Sequence, residues 1–169
     1  MYRVAVVILS DRASRGERED KCLPVFRELL PRDLYSIVTE KILPDDRVII
    51  ETTLRNLVKE KYHLIFTSGG TGCAPSDVTP DVTVGILDRP TPGLDEAIRR
   101  YSESKSRYAV FSRALSGVAG NSYIINLPGS PKAVREILEF VIPILEHPIR
   151  LIAGKVKDCQ QELAENDNV

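Results

Sequence analysis

Tryptophan is absent from the 169 residues, methionine occurs once, histidine twice and cysteine three times. Cys22, Cys73 and Cys159 lie far apart without a CxxC pair, and His63 and His147 are isolated in sequence. That spacing argues against a disulfide framework and against a structural zinc site. It leaves Cys73 as a small buried thiol rather than a nucleophile, and it puts no histidine in a candidate loop for Ser-His-Asp hydrolysis. Long apolar runs are also missing. The opening stretch, residues 1–9, is too short to span a bilayer and has no small-residue cleavage site. It reads as a buried strand, and the expected location is the cytoplasm. Positive charge is not in excess, since 23 Lys+Arg against 24 Asp+Glu give a net charge of −1. Broad attraction to nucleic acid needs a cationic surface, so that class is disfavoured. A small anionic ligand needs only a few local donors and stays open.

What is present is globular: 43% of residues are hydrophobic and 28% charged, and a chain of this length buries a core without staples. Short β-branched runs alternate with longer mixed segments. Strands are expected at 3–9, within 34–43 and at 63–67. Helices are expected at 19–30, from Asp45 or Asp46 as cap to about Lys59, and at 132–142, with Pro143 and Pro148 breaking the region beyond. Thr79-Pro80-Asp81 and Thr91-Pro92 have the chemistry of helix starts, the second helix reaching about Ser104. Residues 116–126 read as a hairpin turning at Gly120-Asn121. The expected architecture is α/β: one three-layer domain over residues 1–155, followed by a polar tail at 156–169. Its sheet is mostly parallel and doubly wound, with an antiparallel hairpin near the edge. Ligands in such folds bind beyond the carboxyl ends of the strands, which draws together the loops 10–16, 44–46, 68–77 and 128–132.

Each loop has a chemical and a plain reading. Ser68-Gly69-Gly70-Thr71-Gly72 offers a nest of backbone N–H groups to an anionic oxygen, or it is a tight turn that binds nothing. It is neither a Walker A loop nor a dinucleotide fingerprint. Pro128-Gly129-Ser130-Pro131-Lys132 opens a helix whose N-terminus suits an anion, or Ser130 simply caps it. Asp45 and Asp77 lie at the proposed ligand edge, where Mg²⁺ would take one or two carboxylates plus phosphate oxygens. Their plain alternatives are a helix cap and a turn residue. Asp11 is a third acid of this kind. Arg12, Lys21, Arg113 and Lys132 are basic candidates that otherwise decorate the surface.

Taken together, the segments resemble the molybdopterin adenylyltransferase family of molybdenum-cofactor biosynthesis. The matching segments are Ser10-Asp11-Arg12-Ala13-Ser14 with Asp20-Lys21; Pro44-Asp45-Asp46; Ser68 to Gly72 through Asp77-Val78-Thr79-Pro80-Asp81; Pro92-Gly93-Leu94-Asp95-Glu96; Ser112-Arg113-Ala114; and Gly117 through Asn126-Leu127-Pro128-Gly129-Ser130-Pro131-Lys132. They run in order over nearly the whole chain. The resemblance implies a three-layer fold, a homotrimer, and Mg²⁺- and ATP-dependent transfer of AMP to the terminal phosphate of molybdopterin, releasing pyrophosphate. It implies that Asp45 and Asp77 are essential; on the chemistry of phosphate transfer Asp45 would hold Mg²⁺, and Asp77 either joins it or orients the ligand. It places Ser10, Asp11, Arg12, the 68–72 loop, Thr79, Pro80, Glu96, Ser112, Arg113, Gly117 and Leu127, with Pro128, Gly129, Ser130 and Lys132, at the pterin or nucleotide. A separate molybdate-insertion protein is the implied partner, with no nucleic acid and no membrane involved. Ser76 departs from the basic residue of many relatives, and Cys73 occupies a variable, often bulkier position. Rival readings are a trimeric pterin-binding carrier without catalysis, and the pyridine-nucleotide chemistry of the competence-damage family on the same fold. Both acids being present speaks against the first, and the Ser-Asp-Arg-Ala-Ser start against the second.

Overall fold

In the computed structural model, residues 1–154 are described, so the expected tail at 156–169 and Cys159 lie outside the described residues. Six strands form one sheet in the order β2-β1-β3-β6-β5-β4. They are β1 (Tyr2–Leu9), β2 (Tyr35–Leu43), β3 (Leu64–Ser68), β4 (Arg89–Pro90), β5 (Ser116–Ala119) and β6 (Ser122–Leu127). The first four in that order run parallel, and β5 is antiparallel to both of its neighbours. The hairpin therefore lies near the edge, as expected, but the two-residue β4 closes that edge.

Alternation along the strands sorts the core into two layers. Val4, Val6, Ile8, Leu64, Phe66 and Ile125 pack against α2 (Leu23–Leu29), α5 (Pro92–Glu103) and α6 (Pro131–Ile152). Ala5, Val7, Leu9, Ile65 and Ile124 pack against α3 (Arg47–Lys59) and α4 (Thr79–Val84). The connection from β1 leads to one side of the sheet and that from β3 to the other. The switch point thus lies between the carboxyl ends of β1 and β3, where such sheets bind ligands.

Local chemistry departs from the sequence expectation at several ends. Residues 11–14 form a one-turn helix, α1 (Asp11–Ser14), capped by Ser10, rather than loop throughout. Helix α2 starts at Leu23, not Glu19, because Pro24 belongs in a first turn and the Asp20 carboxylate accepts from the Cys22 and Leu23 amides. Thr79 lies inside α4, not at its cap.

Helix α6 is the largest correction. It runs unbroken from Pro131 to Ile152 through Pro143 and Pro148. Its apolar stripe, Val134, Ile137, Leu138, Val141, Leu145 and Ile149, is buried along the whole length. Continuous burial outweighs two missing donors, since each large apolar side chain contributes about 1.5–3 kcal/mol. Pro143 itself is exposed. Pro143→Ala is expected to raise stability by about 1–2 kcal/mol, the helix gain of about 3 being offset by a freer unfolded chain. Urea unfolding of the two proteins measures this.

Candidate active site

Four loops leave the carboxyl ends of β1, β2, β3 and β6 and meet around two cavities. The first, about 170 Å³, is lined by Ser10, Asp45, Ser68, Gly69, Gly70, Asp77 and Gly129, with Arg18, Lys21 and Cys22 along one wall. The second, about 330 Å³, opens on the other side of the glycine loop, against Thr71, Gly72, Ser112, Pro128 and Lys132.

The glycine loop is held from beneath. Gly69 donates its amide to Leu127 O at 3.0 Å, and Thr79 Oγ1 donates to Gly69 O at 2.9 Å. Thr83 Oγ1 donates in turn to Thr79 O, and Asn126 Nδ2 donates to Thr83 Oγ1 at 3.0 Å. This buried ladder spends the Thr79 hydroxyl on support, so Thr79 braces the loop rather than facing a ligand. The amides of Gly70, Thr71 and Gly72 donate to no acceptor among the described residues. Gly70 has φ 61°. A Cβ there would lie 2.5 Å from Thr79 Oγ1 and 3.3 Å from Asp45 Oδ1. Three successive unspent amides in such a turn have the arrangement of a nest that can take an anion.

Two carboxylates lean over that nest. Asp46, not Asp45, caps α3, accepting from the Val48 and Ile49 amides at 2.9 Å. This leaves Asp45 for the site. Asp45 Oδ2 accepts from the Asp11 amide at 3.0 Å, and Asp11 Oδ1 accepts from the Asp45 amide at 3.0 Å. The exchange locks the β1 and β2 loops together and leaves Asp45 Oδ1 without a protein donor. Asp77 Oδ2 accepts from the Ala74 amide at 2.8 Å, also leaving Oδ1 unspent. A Cβ on Gly72 would sit 2.8 Å from Asp77 Oδ2. Burial pushes the Asp45 carboxyl above its ordinary pKa; the Asp11 amide opposes this, while the charges of Asp11 and Asp77 add to it.

No cluster of three metal-ligating side chains occurs among the described residues. Two carboxylates with free oxygens beside an anion nest do fit Mg²⁺, which completes its shell with phosphate oxygens and water. Arg18 and Lys21 form no ion pair among the described residues and bring cations to the same cavity.

The second cavity is of a different kind. Ile98, Tyr108, Ala109, Phe111, Ala114 and Ile137 supply apolar and aromatic walls, with Arg99, Lys105 and Lys132 as cations. Arg99 donates one bond, to Ala114 O at 3.0 Å, and Ser102 Oγ is buried without a hydrogen-bond partner. The sequence reading missed both. Their signal was the spacing Asp95-Ile98-Arg99-Ser102, which places them on the inward face of α5.

Other expected contacts lie elsewhere. Glu96 is exposed and pairs with Arg100. Arg12 is exposed and lines neither cavity. Pro80 is buried in α4, Leu127 is buried in the core, and Gly117 packs in β5 against Arg89. Ser130 occupies the cap position of α6 without a side-chain capping bond. Arg113 packs against the glycine loop but lines neither cavity, and its guanidinium is bound to protein: Gly72 O, Asp77 O and the Asp81 carboxylate.

Residues 5–147 match the family model described as a probable molybdopterin binding domain. The molybdopterin adenylyltransferase of Escherichia coli K12 is 42% identical over 143 aligned positions, covering 82% of this chain and 73% of that protein. That of Haemophilus influenzae is 40% identical, covering 98% and 92%. The crystal structure of the molybdopterin biosynthesis enzyme MoaB from Thermus thermophilus superposes with a TM-score of 0.85 at 42% identity, covering 91% and 98%. In sequence and fold alike, the chain belongs to the molybdopterin-binding family of molybdenum-cofactor biosynthesis that contains the molybdopterin adenylyltransferases.

Proposed function

We propose that this chain is a molybdopterin adenylyltransferase: it transfers AMP from ATP to the terminal phosphate of molybdopterin and releases pyrophosphate. The observation that carries the reading is the pair of carboxylates, Asp45 and Asp77, each with one unspent oxygen, lining one cavity with Gly70 of the loop whose amides at 70, 71 and 72 are unspent. Two acids beside amides suited to an anion are a benefit where a cation or a proton takes part.

The chemistry is an in-line displacement at phosphorus. A terminal phosphate oxygen of the pterin forms a bond to the α-phosphorus of ATP. The bond from that phosphorus to the α,β-bridging oxygen breaks, and its electron pair leaves with pyrophosphate. Positioning and charge neutralisation supply most of the rate in such transfers. The Gly70 amide, Arg18 and Lys21 hold phosphate oxygens in the smaller cavity, and the Thr71 and Gly72 amides serve the larger one. Mg²⁺, bound through Asp45 and Asp77, would neutralise the phosphate charge. The larger cavity, with aromatic walls and Arg99, Lys105 and Lys132, takes the flat pterin and its phosphate. The glycine loop separates the two, so both reactants approach one point. The assembly is a homotrimer, and its product passes to a molybdate-insertion protein. No helix among the described residues is long and apolar enough to cross a membrane.

The test is direct. Purified protein is incubated with molybdopterin, ATP and Mg²⁺, and adenylylated pterin and pyrophosphate are followed. Equal amounts of the two products are expected. Tight pterin binding with no pyrophosphate would overturn the catalytic reading and leave a carrier protein.

A further inference from the structure

We propose that Arg113 and Asp81 form a positioning clamp that sets the Asp77 carboxylate in the transfer site, and that Arg113 is not itself a ligand contact. The kinetic part of this inference rests on the adenylyl-transfer reading.

Arg113 offers five side-chain N–H donors. Nε donates to Gly72 O at 2.8 Å, Nη1 to Asp81 Oδ1 at 3.0 Å, and Nη2 to Asp81 Oδ2 at 3.0 Å and to Asp77 O. Its backbone amide donates to Thr71 O at 2.9 Å. The guanidinium therefore holds both ends of the 72–77 loop, and the Asp81 carboxylate, on the first turn of α4, orients the planar fork. Inside the loop, the Asp77 amide donates to Ala74 O at 2.9 Å, and the Ala74 amide donates to Asp77 Oδ2 at 2.8 Å. With its ends clamped and its turn closed, the loop presents the free oxygen of Asp77 in one direction.

Neither Arg113 nor Asp81 lines either cavity, whereas Ser112 and Ala114 line the larger one. One side chain thus registers the acid of one cavity against a wall of the other. The charge of Arg113 is already matched by Asp81, whose carboxyl the guanidinium holds below its ordinary pKa. A phosphate would have to displace that carboxylate to bind there.

The test uses the full chain with Asp81→Asn, Arg113→Gln and the double variant, all checked for folding by thermal melting. Each single change is expected to lower kcat about 10–100-fold, the cost of a misplaced group. KM for ATP and pterin stays within roughly twofold, and half-maximal rate needs more Mg²⁺. The double variant is no worse than either single, because both remove the same clamp. Arg113→Lys keeps the charge but not the fork and stays impaired. A raised KM in Arg113→Gln, with Asp81→Asn fully active, overturns the inference and makes Arg113 a ligand contact. Lower melting temperatures with unchanged kcat and Mg²⁺ dependence overturn it as well, leaving a structural ion pair. If the wild type transfers no AMP, the functional reading fails separately. Amide exchange across residues 73–77 then decides the clamp: faster exchange in Asp81→Asn supports it, and unchanged exchange overturns it.

Discussion

Asp45→Ala and Asp77→Ala are each expected to lower the AMP-transfer rate by about 10²–10³-fold, roughly 3–4 kcal/mol of transition-state stabilisation. Pyrophosphate release under saturating ATP and pterin measures it, and a rate within roughly threefold of wild type for either variant would remove that acid from the mechanism. Asp45→Asn separates catalysis from stability. Burial and two neighbouring acids raise the Asp45 pKa in the folded chain. The folded state then holds its proton to higher pH than the unfolded state does, so this group opposes folding once it ionises. Removing the charge is expected to stabilise the apo protein at neutral pH. The advantage fades as pH falls through the raised pKa into the ordinary carboxylate range, where both states are protonated. The amide oxygen still accepts from Asp11 N, so Asp45→Asn should be inactive yet melt higher than wild type at neutral pH. The acid limb of wild-type activity should move to lower pH with rising Mg²⁺, because a bound cation favours the carboxylate.

Gly69→Ala is expected to destabilise the fold by about 3 kcal/mol or more, with the site lost in whatever remains folded. Gly69 has φ 115°, and a Cβ on it would lie 2.1 Å from Leu9 O, backbone at the end of the interior strand β1. Neither atom can rotate away. The loop must shift, breaking the bonds from Gly69 to Leu127 and from Thr79 to Gly69. Gly93, near the start of α5, is the control, since a Cβ on it would meet nothing within 4 Å. Gly93→Ala should stay within about 1 kcal/mol of wild type. Urea midpoints of the two variants compare strain with mere loss of glycine. A wild-type midpoint for Gly69→Ala would show that the close approach to Leu9 is not required.

Much of this protein was legible from local patterns. Buried β-branched runs alternating with helical segments determined a mostly parallel sheet with helices on both faces. Glycines at 69, 70 and 72 between a strand and a helix marked the tight loop whose amides stay unspent. Gly120-Asn121 set the hairpin turn, and Pro92 and Pro131 opened their helices where expected. Each signal acts within a few residues through φ preference, pleat or capping, so the sequence carries it directly.

Which polar groups remain unspent was decided by tertiary contacts alone. Asp45 and Asp46 are equivalent as caps on paper; a partner 34 residues away, the Asp11 amide, takes Asp45, and Asp46 turns to α3. Arg113 looks like a surface cation until the 72–81 segment folds around it. Glu96 and Arg99 share α5, yet only the packing of α5 against the sheet sends Arg99 inward and Glu96 to solvent. Continuity of α6 through two prolines likewise needed the core it covers. Local propensities differ by a few tenths to a few kcal/mol, while a buried stripe or a guanidinium held by four hydrogen bonds adds several contacts at once, and those contacts exist only after distant segments have met.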